Sequence, residues 1–245
     1  MTDQDEHAEQ TPGVRINRML AQSGLCSRRE ADTWIAAGRV TIDGRPALPG
    51  DRVDGTEAIL IDGQPLPERR DAVILALNKP EGIICTTDHR VPDNVIDFLG
   101  YPERLFPIGR LDRDSHGLLL LTNDGSIVNR ILRAANRHEK EYRVRVDHAF
   151  PDVFLEDMAA GVPILEHVTL PCKAVRTGPD TFRIILRQGL NRQIRRMCTH
   201  LGYEVADLER VRIINIALGT LRLGHSRELT YKEARDLRAL LDKSE

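Results

Sequence analysis

The chain has 245 residues, of which 41% are apolar and 29% are charged, and its net charge at pH 7 is -2. This length and apolar fraction suffice for one large domain, or for two smaller domains that each have a core. The near-zero net charge excludes a polycation. It leaves nucleic-acid binding open, because such binding depends on how the charges are distributed.

The sequence also carries signals about location. The four cysteines lie far apart, with neither metal-ligand spacing nor a disulfide framework. Residues 1–12 are acidic and polar, and they lack the apolar segment of a signal peptide, so we expect a disordered tail there. No stretch of 18 consecutive apolar residues predicts a membrane span. These features favour a reducing, cytoplasmic location and no association with membranes.

From Val14 onward the sequence predicts two short helices and then hairpins. Apolar residues at helical spacing begin at Ile16 and stop at Ser23-Gly24. Ser27 and Glu30 have the spacing of a capping box, which predicts a second helix. The apolar segments 40–42 and 59–61 are each followed by Asp-Gly, a pair typical of strands that enter tight hairpins.

The same region is rich in arginine. Between Val14 and Val53 there are seven arginines against four acidic residues. Arg28 and Arg29 lie in the first turn of the predicted second helix, where the helix dipole disfavours cations. An anionic partner such as phosphate would explain them, and a solvated helix face is the alternative.

Three segments of this region resemble an S4 RNA-binding domain at fixed spacing, namely Arg15–Ala21, Ser27–Ala31 and Gly38–Gly44. The resemblance implies that this helix pair contacts structured RNA. It also implies an RNA-facing role for six residues, which are Arg15, Arg18, Ser27, Arg28, Arg29 and Arg39.

The rest of the chain mixes strands and helices without regular alternation, which favours an α+β fold. We expect strands over 73–77, 83–87, 105–108, 118–122, 142–146, 168–175, 181–186 and 211–218, and helices within 93–99, 125–132, 154–158, 191–201 and 230–241. The predicted organisation is a tail at 1–12, an S4-like domain at 13–66, a Pro-containing linker at 67–72 and a catalytic domain at 73–245.

A charged loop lies between two apolar runs in this second region. Two arginines and two aspartates fall within residues 110–114, between the predicted strands 105–108 and 118–122. Loops at the ends of buried strands are a common place for reactive groups. Asp112 is our candidate nucleophile, Asp114 is interpreted as a turn residue without a role, and an ordinary charged turn is the alternative.

A second stretch is basic, with five arginines and no acidic residue between Arg183 and Arg196. We expect Asn191 to cap a helix whose apolar face includes Ile194. Arg195 adjoins that face and is expected to reach inward, whereas Arg192 and Arg196 are expected to point outward to phosphates. A solvated basic surface is the alternative.

The two stretches make a plausible chemical pair. A guanidinium beside a carboxylate keeps it ionised and fixes its geometry, so we expect Arg195 to pair with Asp112. Tyr142 offers a ring that could stack on a base and a phenol that could move a proton, although a core aromatic is the alternative. No nucleotide-binding glycine loop, paired histidines or nucleophile elbow is present in the sequence, so we expect no cofactor and no metal.

These three elements, in this order, resemble the RNA pseudouridine synthases. Gly109–Asp112 resembles the catalytic aspartate motif, Glu141-Tyr142 the stacking tyrosine motif, and Asn191–Met197 the arginine motif. An S4 domain before them is the layout of the ribosomal, RsuA-type branch. His138–Tyr142 and Gly161–Leu165 look most like its large-subunit synthase F subgroup. The resemblance covers about residues 14–242.

The resemblance implies a catalytic domain built on a mixed, mostly antiparallel sheet. It implies isomerisation of uridine in RNA, with Asp112, Tyr142 and Arg195 as catalytic residues. Arg110 would take part in base flipping, and Leu111 and Ile194 would be apolar walls.

The expected partner is ribosomal RNA of the large subunit, with small-subunit RNA or a tRNA anticodon loop as alternatives, and a monomer is expected. Two other classes of protein are alternatives, a non-catalytic S4-type RNA-binding protein and an S4-containing methyltransferase. The second would need a glycine-rich cofactor loop, which the sequence lacks.

Overall fold

The computed structural model describes residues 13–67, 72–133 and 137–243. The chain divides between Asp71 and Ala72 into two compact units. The predicted tail at 1–12, and residues 68–71 of the predicted linker, lie outside the described residues. No helix among the described residues has the length and apolar character needed to cross a bilayer.

Residues 13–67 of the first unit contain two helices and six short strands, which are β1 (Val14–Arg15), α1 (Ile16–Gln22), α2 (Arg28–Ala36), β2 (Val40–Ile42), β3 (Arg45–Pro46), β4 (Arg52–Val53), β5 (Ile59–Ile61) and β6 (Gln64–Pro65). The predicted capping box of α2 is confirmed, because Ser27 and Glu30 each accept a backbone N–H of the other. Both predicted hairpins are present, and they join β3-β2-β5-β6 into one sheet. Apolar residues of both helices, including Ile16 and Ile35, are buried against that sheet in one core.

In its described residues, the second unit has eleven strands and five helices. Its elements are β7 (Ile74–Lys79), α3 (Val95–Leu99), β8 (Phe106–Ile108), β9 (His116–Thr122), α4 (Gly125–Leu132), β10 (Lys140–Val146), α5 (Asp152–Ala160), β11 (Pro163–Ile164), β12 (His167–Val168), β13 (Lys173–Arg176), β14 (Thr181–Leu186), α6 (Gln193–His200), β15 (Val205–Ile213), β16 (Ile216–Ala217), β17 (Ser226–Glu228) and α7 (Tyr231–Asp242).

One sheet organises this unit, in the order β13-β14-β10-β15-β9-β7-β17, with β16 beside β15 and β8 beside β9. All its neighbouring strands are antiparallel except β9 and β15, which run parallel. The predicted α+β class and the mixed, mostly antiparallel sheet are therefore confirmed.

Strand β9 lies in the middle of this sheet and is buried on both faces. Leu118 and Leu120 belong to one core cluster, and Leu119 and Leu121 belong to another. Successive side chains of a strand point to opposite faces, so an unbroken apolar run fits a strand covered on both sides. Gly117 begins this run at a φ of +104°, and a Cβ there would lie 2.4 Å from the backbone oxygen of Arg210 on β15. Only glycine permits this close pairing of β9 with β15.

Two predicted strands are wrong. Residues 83–87 form no strand and make a single bridge, from Ile84 to Asn94. Both edges of β7 are already paired, to β9 and to β17, so Ile83 and Cys85 instead pack against a core cluster. The predicted strand 168–175 is split into the end of β12 and the start of β13. Pro171 lies between them and has no N–H to donate to a ladder.

Helix α7 is anchored to the sheet at both its start and its apolar face. Thr230 and Glu233 form the predicted capping box, and Arg227 of β17 donates two hydrogen bonds of 2.8 Å to Glu233. Leu237 and Leu241 are fully buried in the cluster that contains Leu118. The hydrogen bonds from Arg227, with smaller contributions from Thr230, lower the pKa of Glu233 from 4.5 to about 2.

We predict that Glu233→Gln destabilises the second unit by about 1 kcal/mol at pH 7, because the amide keeps the cap and loses the charge pairing with Arg227. A carboxylate whose pKa is lowered by folding stabilises the protein above its unfolded pKa, and that contribution is lost as the pH falls toward the folded pKa. The gap between wild type and variant in denaturant unfolding should therefore shrink between pH 4.5 and pH 2. The exposed Glu156→Gln on α5 is the control, and an equal gap for both variants would contradict this account.

Candidate active site

A cavity of about 420 Å³ opens at the carboxyl-terminal side of β8, beside β10 and the start of α6. It brings together six of the residues predicted from sequence, namely Arg110, Leu111, Asp112, Tyr142, Arg192 and Ile194. Leu111 and Ile194 are buried and form apolar walls, and Arg110 is exposed. Arg195, which was also predicted to be catalytic, is not among the residues that line this cavity.

The loop that carries Asp112 is fixed by backbone contacts on both sides. The Leu111 N–H donates to Cys85 Sγ at 3.4 Å, and the Ser115 N–H donates to the Asp112 oxygen at 3.2 Å. Arg210 of β15 donates from Nη1 to the Arg110 oxygen at 3.1 Å and from Nε to the Leu118 oxygen at 2.7 Å. A single buried guanidinium therefore joins the loop to the strand that follows it.

Lys79 holds the chain segment that contacts the loop of Asp112. Its side chain is fully buried, and Nζ donates to the backbone oxygens of Pro80 and Ile83 at 2.8 and 2.9 Å. Burial lowers the pKa of this ammonium, with small opposing effects from neighbouring charges. These hydrogen bonds shape the segment that presents Cys85 to Leu111. Sequence reasoning missed both Lys79 and Arg210, since neither cation lies in a basic run or a capping pattern.

The two aspartates of the loop share one arginine. Arg192 donates from Nη1 and Nη2 to the two carboxylate oxygens of Asp114 at 3.0 and 2.9 Å. The same Nη1 lies 3.9 Å from Oδ2 of Asp112, whose side chain is 35% exposed. The hydrogen bond from Arg192 lowers the pKa of Asp114, and burial opposes this effect in part. Asp114 is therefore held ionised and keeps the Arg192 guanidinium beside Asp112.

The predicted pair between Asp112 and Arg195 is not present. Arg195 instead donates to the Asp114 backbone oxygen and to Ser115 Oγ, and its Nε lies 3.4 Å from the Asp114 carboxylate. Arg195 also donates to the Val205 oxygen, which joins α6 to β15. Asp114 lies in a turn, as predicted, and its carboxylate in addition binds Arg192.

The start of α6 explains why Arg192 turns inward. Arg192 occupies the N-cap position with a φ of +51°, and no side chain caps the helix. The predicted cap, Asn191, instead accepts two hydrogen bonds from Arg196, one at its backbone oxygen and one at its side chain. The left-handed N-cap conformation is rare for arginine. In this conformation the Arg192 side chain points to the carboxylates of Asp112 and Asp114, whereas the sequence predicts that it points outward to phosphates.

Tyr142 lies on β10, where its register partner on β15 is Arg210 and its partner on β14 is Ile184. Its ring is half-buried and lines the cavity, so it is accessible to a ligand there. Lys140, two residues earlier on the same face of β10, also lines the cavity. Burial lowers the pKa of the Lys140 ammonium. Sequence reasoning missed this cation.

The six predicted RNA-facing residues of the first unit differ in how they are held. Ser27 caps α2, and Arg39 forms a double hydrogen bond with Asp62 while lying 4.9 Å from the centre of the Trp34 ring. Arg28 and Arg29 are exposed, and within the described residues no acidic group pairs with either. Arg15 is also exposed, and Arg18 is half-buried.

Among the described residues, one cluster has the geometry to hold a metal ion. Ligand atoms of Glu81, His116 and Asp207 all lie within 4.8 Å of one another. His116 Nε2 is already 2.9 Å from Asp207, and the three residues do not line the cavity of Asp112. The cluster is therefore explained as a histidine–aspartate contact with a neighbouring exposed glutamate.

Comparison with known proteins gives the class of protein. Residues 73–200 match the RNA pseudouridylate synthase family, and residues 14–59 match the S4 domain. The chain therefore belongs to the RNA pseudouridylate synthase family, which are isomerases, and it carries an S4 domain before the catalytic region.

Individual relatives agree with this assignment. The "Dual-specificity RNA pseudouridine synthase RluF" of Escherichia coli strain K12 is 51% identical over 94% of this chain and 80% of that protein. The "Ribosomal large subunit pseudouridine synthase B" of Bacillus subtilis strain 168 is 35% identical over 93% of this chain and 97% of that protein. A crystal structure of a pseudouridylate synthase matches with a TM-score of 0.68 and 27% identity, over 92% of this chain and all of that one. The predicted family and its RsuA-type branch with an S4 domain are confirmed.

We predict that Asp114→Asn lowers the single-turnover rate of pseudouridine formation by roughly 10- to 100-fold, because Arg192 and Arg195 lose the carboxylate that orients them. Circular dichroism and thermal unfolding should change little, since the side chain is half-exposed. The exposed Asp157→Asn on α5 serves as the matched control. A rate within twofold of wild type would show that the Asp114 carboxylate has no part in orienting the site.

Proposed function

We propose that this protein converts specific uridines to pseudouridine in large-subunit ribosomal RNA, with Asp112 acting on the ribose of a flipped uridine. The observation that carries the proposal is the cavity in which Asp112, Tyr142 and Arg192 meet between two apolar walls. Supporting it, relatives above 50% identity are named as dual-specificity RNA pseudouridine synthases.

The reaction needs no external group. The N1–C1′ bond breaks with its electron pair leaving on uracil, the base rotates, and C5 forms the new bond to C1′. The proton on C5 is then lost and N1 gains one, so atoms and charge balance within the nucleotide. The cavity, of about 420 Å³, has room for a free uracil to rotate between Leu111 and Ile194.

The target base must first leave its stack, which costs a few kcal/mol. Arg110 is exposed at the rim of the cavity, where it is placed to hold the displaced backbone or to fill the vacated space. The half-buried Tyr142 would stack on the flipped base, and its phenol would take part in removing the C5 proton.

Asp112 has two possible roles that the geometry supports equally. It would either attack C1′ or remove the C2′ proton to give a glycal. In both, Asp112 acts through a carboxylate oxygen, and the Arg192 guanidinium lies 3.9 Å from its Oδ2. Lys140 also lines this cavity, where its ammonium would stabilise the departing uracil anion.

Arg195 has a supporting role in this proposal. It holds the Asp114 backbone and Ser115, and therefore the shape of the loop, while Arg192 supplies the cation nearest to Asp112.

In this proposal the first unit binds RNA. The residues that contact the RNA are Arg15, Arg18, Ser27, Arg28, Arg29 and Arg39. We place the domain boundaries at 13–66 and 73–245, and we propose a monomer that works in the cytoplasm.

The name of the Escherichia coli relative indicates two kinds of RNA substrate for that protein. We therefore propose ribosomal RNA as the main substrate here, with a tRNA anticodon loop as a candidate second one. Mapping pseudouridines in total RNA from cells with and without the gene identifies the targets directly.

We predict that Asp112→Asn leaves folding and RNA affinity within about twofold of wild type and abolishes pseudouridine formation, because the amide has nearly the same shape and no charge. Purified protein is incubated with large-subunit ribosomal RNA transcript, without cofactor, and pseudouridine is detected chemically. Asp157→Asn is again the control. Turnover near the wild-type rate would remove Asp112 from the reaction.

We also predict that RNA affinity falls by roughly 10- to 100-fold between 50 and 200 mM salt, since several arginines displace counterions from phosphates. The double variant Arg28→Gln/Arg29→Gln should bind more weakly and show a shallower salt dependence. Arg235→Gln on α7, an exposed arginine of the other unit, should show neither change. Equal slopes for wild type and the double variant would argue against phosphate contacts by α2.

A further inference from the structure

A second cavity of about 480 Å³ lies outside the one that holds Asp112. One wall is β11 with the turn residue Leu165, and the other is formed by α6 and the segment that leads into β15. Arg192 lines both cavities, so the second one begins where the first ends. Its lining includes Leu165 of the hairpin turn and Arg196 and His200 of α6.

The turn of this hairpin is strained. Leu165 and Glu166 join β11 to β12 as a two-residue turn, with φ values of +48° and +65°. Turns of this kind favour Asn-Gly or Asp-Gly, because both central residues have positive φ. The first unit obeys that preference in its two hairpins, where Asp43-Gly44 and Asp62-Gly63 have φ values between +49° and +81°.

Burial does not compensate for this strain. The Leu165 side chain is 44% exposed, and Glu166 is exposed as well. Ile214 is a useful contrast, because it also has a positive φ, of +53°, but its side chain packs against a core cluster. A backbone conformation that is unfavourable and gains no burial often marks a functional position. The Leu165 side chain therefore gains little from packing within the protein at this position.

The charge of the second cavity indicates the kind of ligand. Three arginines line it, namely Arg192, Arg195 and Arg196, against one acidic residue, Glu204. Arg196 is exposed and held in a fixed orientation by its two hydrogen bonds to Asn191, which use Nε and Nη2. Its Nη1 has no hydrogen-bond partner among the described residues and is free to bind an anion. His200, one helical turn further along α6, is exposed on the same side.

We propose that this second cavity binds the RNA nucleotide next to the target uridine. Leu165 packs against the base and ribose of that nucleotide, and Arg196 and His200 contact its phosphate. The proposal rests on the proposed function, because Arg192 sets the position of this nucleotide relative to Asp112. It makes the hairpin turn a determinant of which RNA is used.

The test is the double variant Leu165→Asn/Glu166→Gly, which gives the turn its preferred residues and removes the apolar side chain. Single-turnover assays with excess enzyme and a large-subunit ribosomal RNA transcript give the half-saturating enzyme concentration and the maximal rate. We expect that concentration to rise by roughly five- to tenfold, as for loss of a nucleotide contact, with the maximal rate within twofold. The melting temperature should equal or exceed that of wild type.

Leu223→Asn, the same chemical change at another exposed leucine of this unit, is the control and should change nothing. Arg196→Gln is the second variant, and it should raise the half-saturating concentration without altering the turn. The proposal is overturned if the double variant stays within twofold of wild type, or if it weakens binding of an unrelated RNA of equal length to the same extent.

Failure of the subsite and failure of the proposed function give different results. If wild type forms no pseudouridine in any RNA tested, the proposed function fails, whatever the variants do. If wild type is active and the hairpin variants match it, only the subsite fails.

Discussion

Strands β9 and β15 run parallel at the centre of the catalytic sheet and meet where Gly117 faces the backbone of Arg210. This close pairing fixes the position of the loop that precedes β9, since Arg210 also binds the loop at the Arg110 oxygen. Tyr142 pairs with Arg210 from the neighbouring strand. Arg210 therefore connects the loop that carries Asp112 to the strand that carries Tyr142.

Successive contacts link Arg195 to Asp112 through Asp114 and Arg192. Arg195 fixes the backbone at Asp114, the Asp114 carboxylate fixes Arg192, and Arg192 approaches Asp112. Asp112 thus keeps a free carboxylate edge for a substrate while a cation stands beside it. An arginine bound directly and bidentately to Asp112 would occupy the oxygens that the reaction needs. The observed arrangement separates the group that reacts from the group that holds the arginine.

Local patterns predicted much of this fold, and tertiary competition decided the rest. Capping boxes at Ser27 and Thr230 were correct because they depend only on residues three apart. The strand predicted at 83–87 was wrong. Strand β17, which is distant in sequence, pairs with the edge of β7 that β9 leaves open, so no edge of β7 remains for residues 83–87. The cavity members Asp112, Tyr142 and Ile194 were predicted from local residue patterns, and the family resemblance implied their roles. Arg192 faces Asp112 because its backbone is left-handed, and no pattern in the sequence predicts that conformation.

The central claim is that the ribose of a flipped uridine meets Asp112 inside the first cavity. A crystal structure of the Asp112→Asn variant bound to a substrate RNA that still contains the unmodified uridine tests this claim most directly. The account predicts the target base out of its stack against the Tyr142 ring, with C1′ about 3–3.5 Å from the residue-112 side chain. A target uridine still stacked in the RNA, or one whose ribose lies beside Asp114 instead, would contradict it.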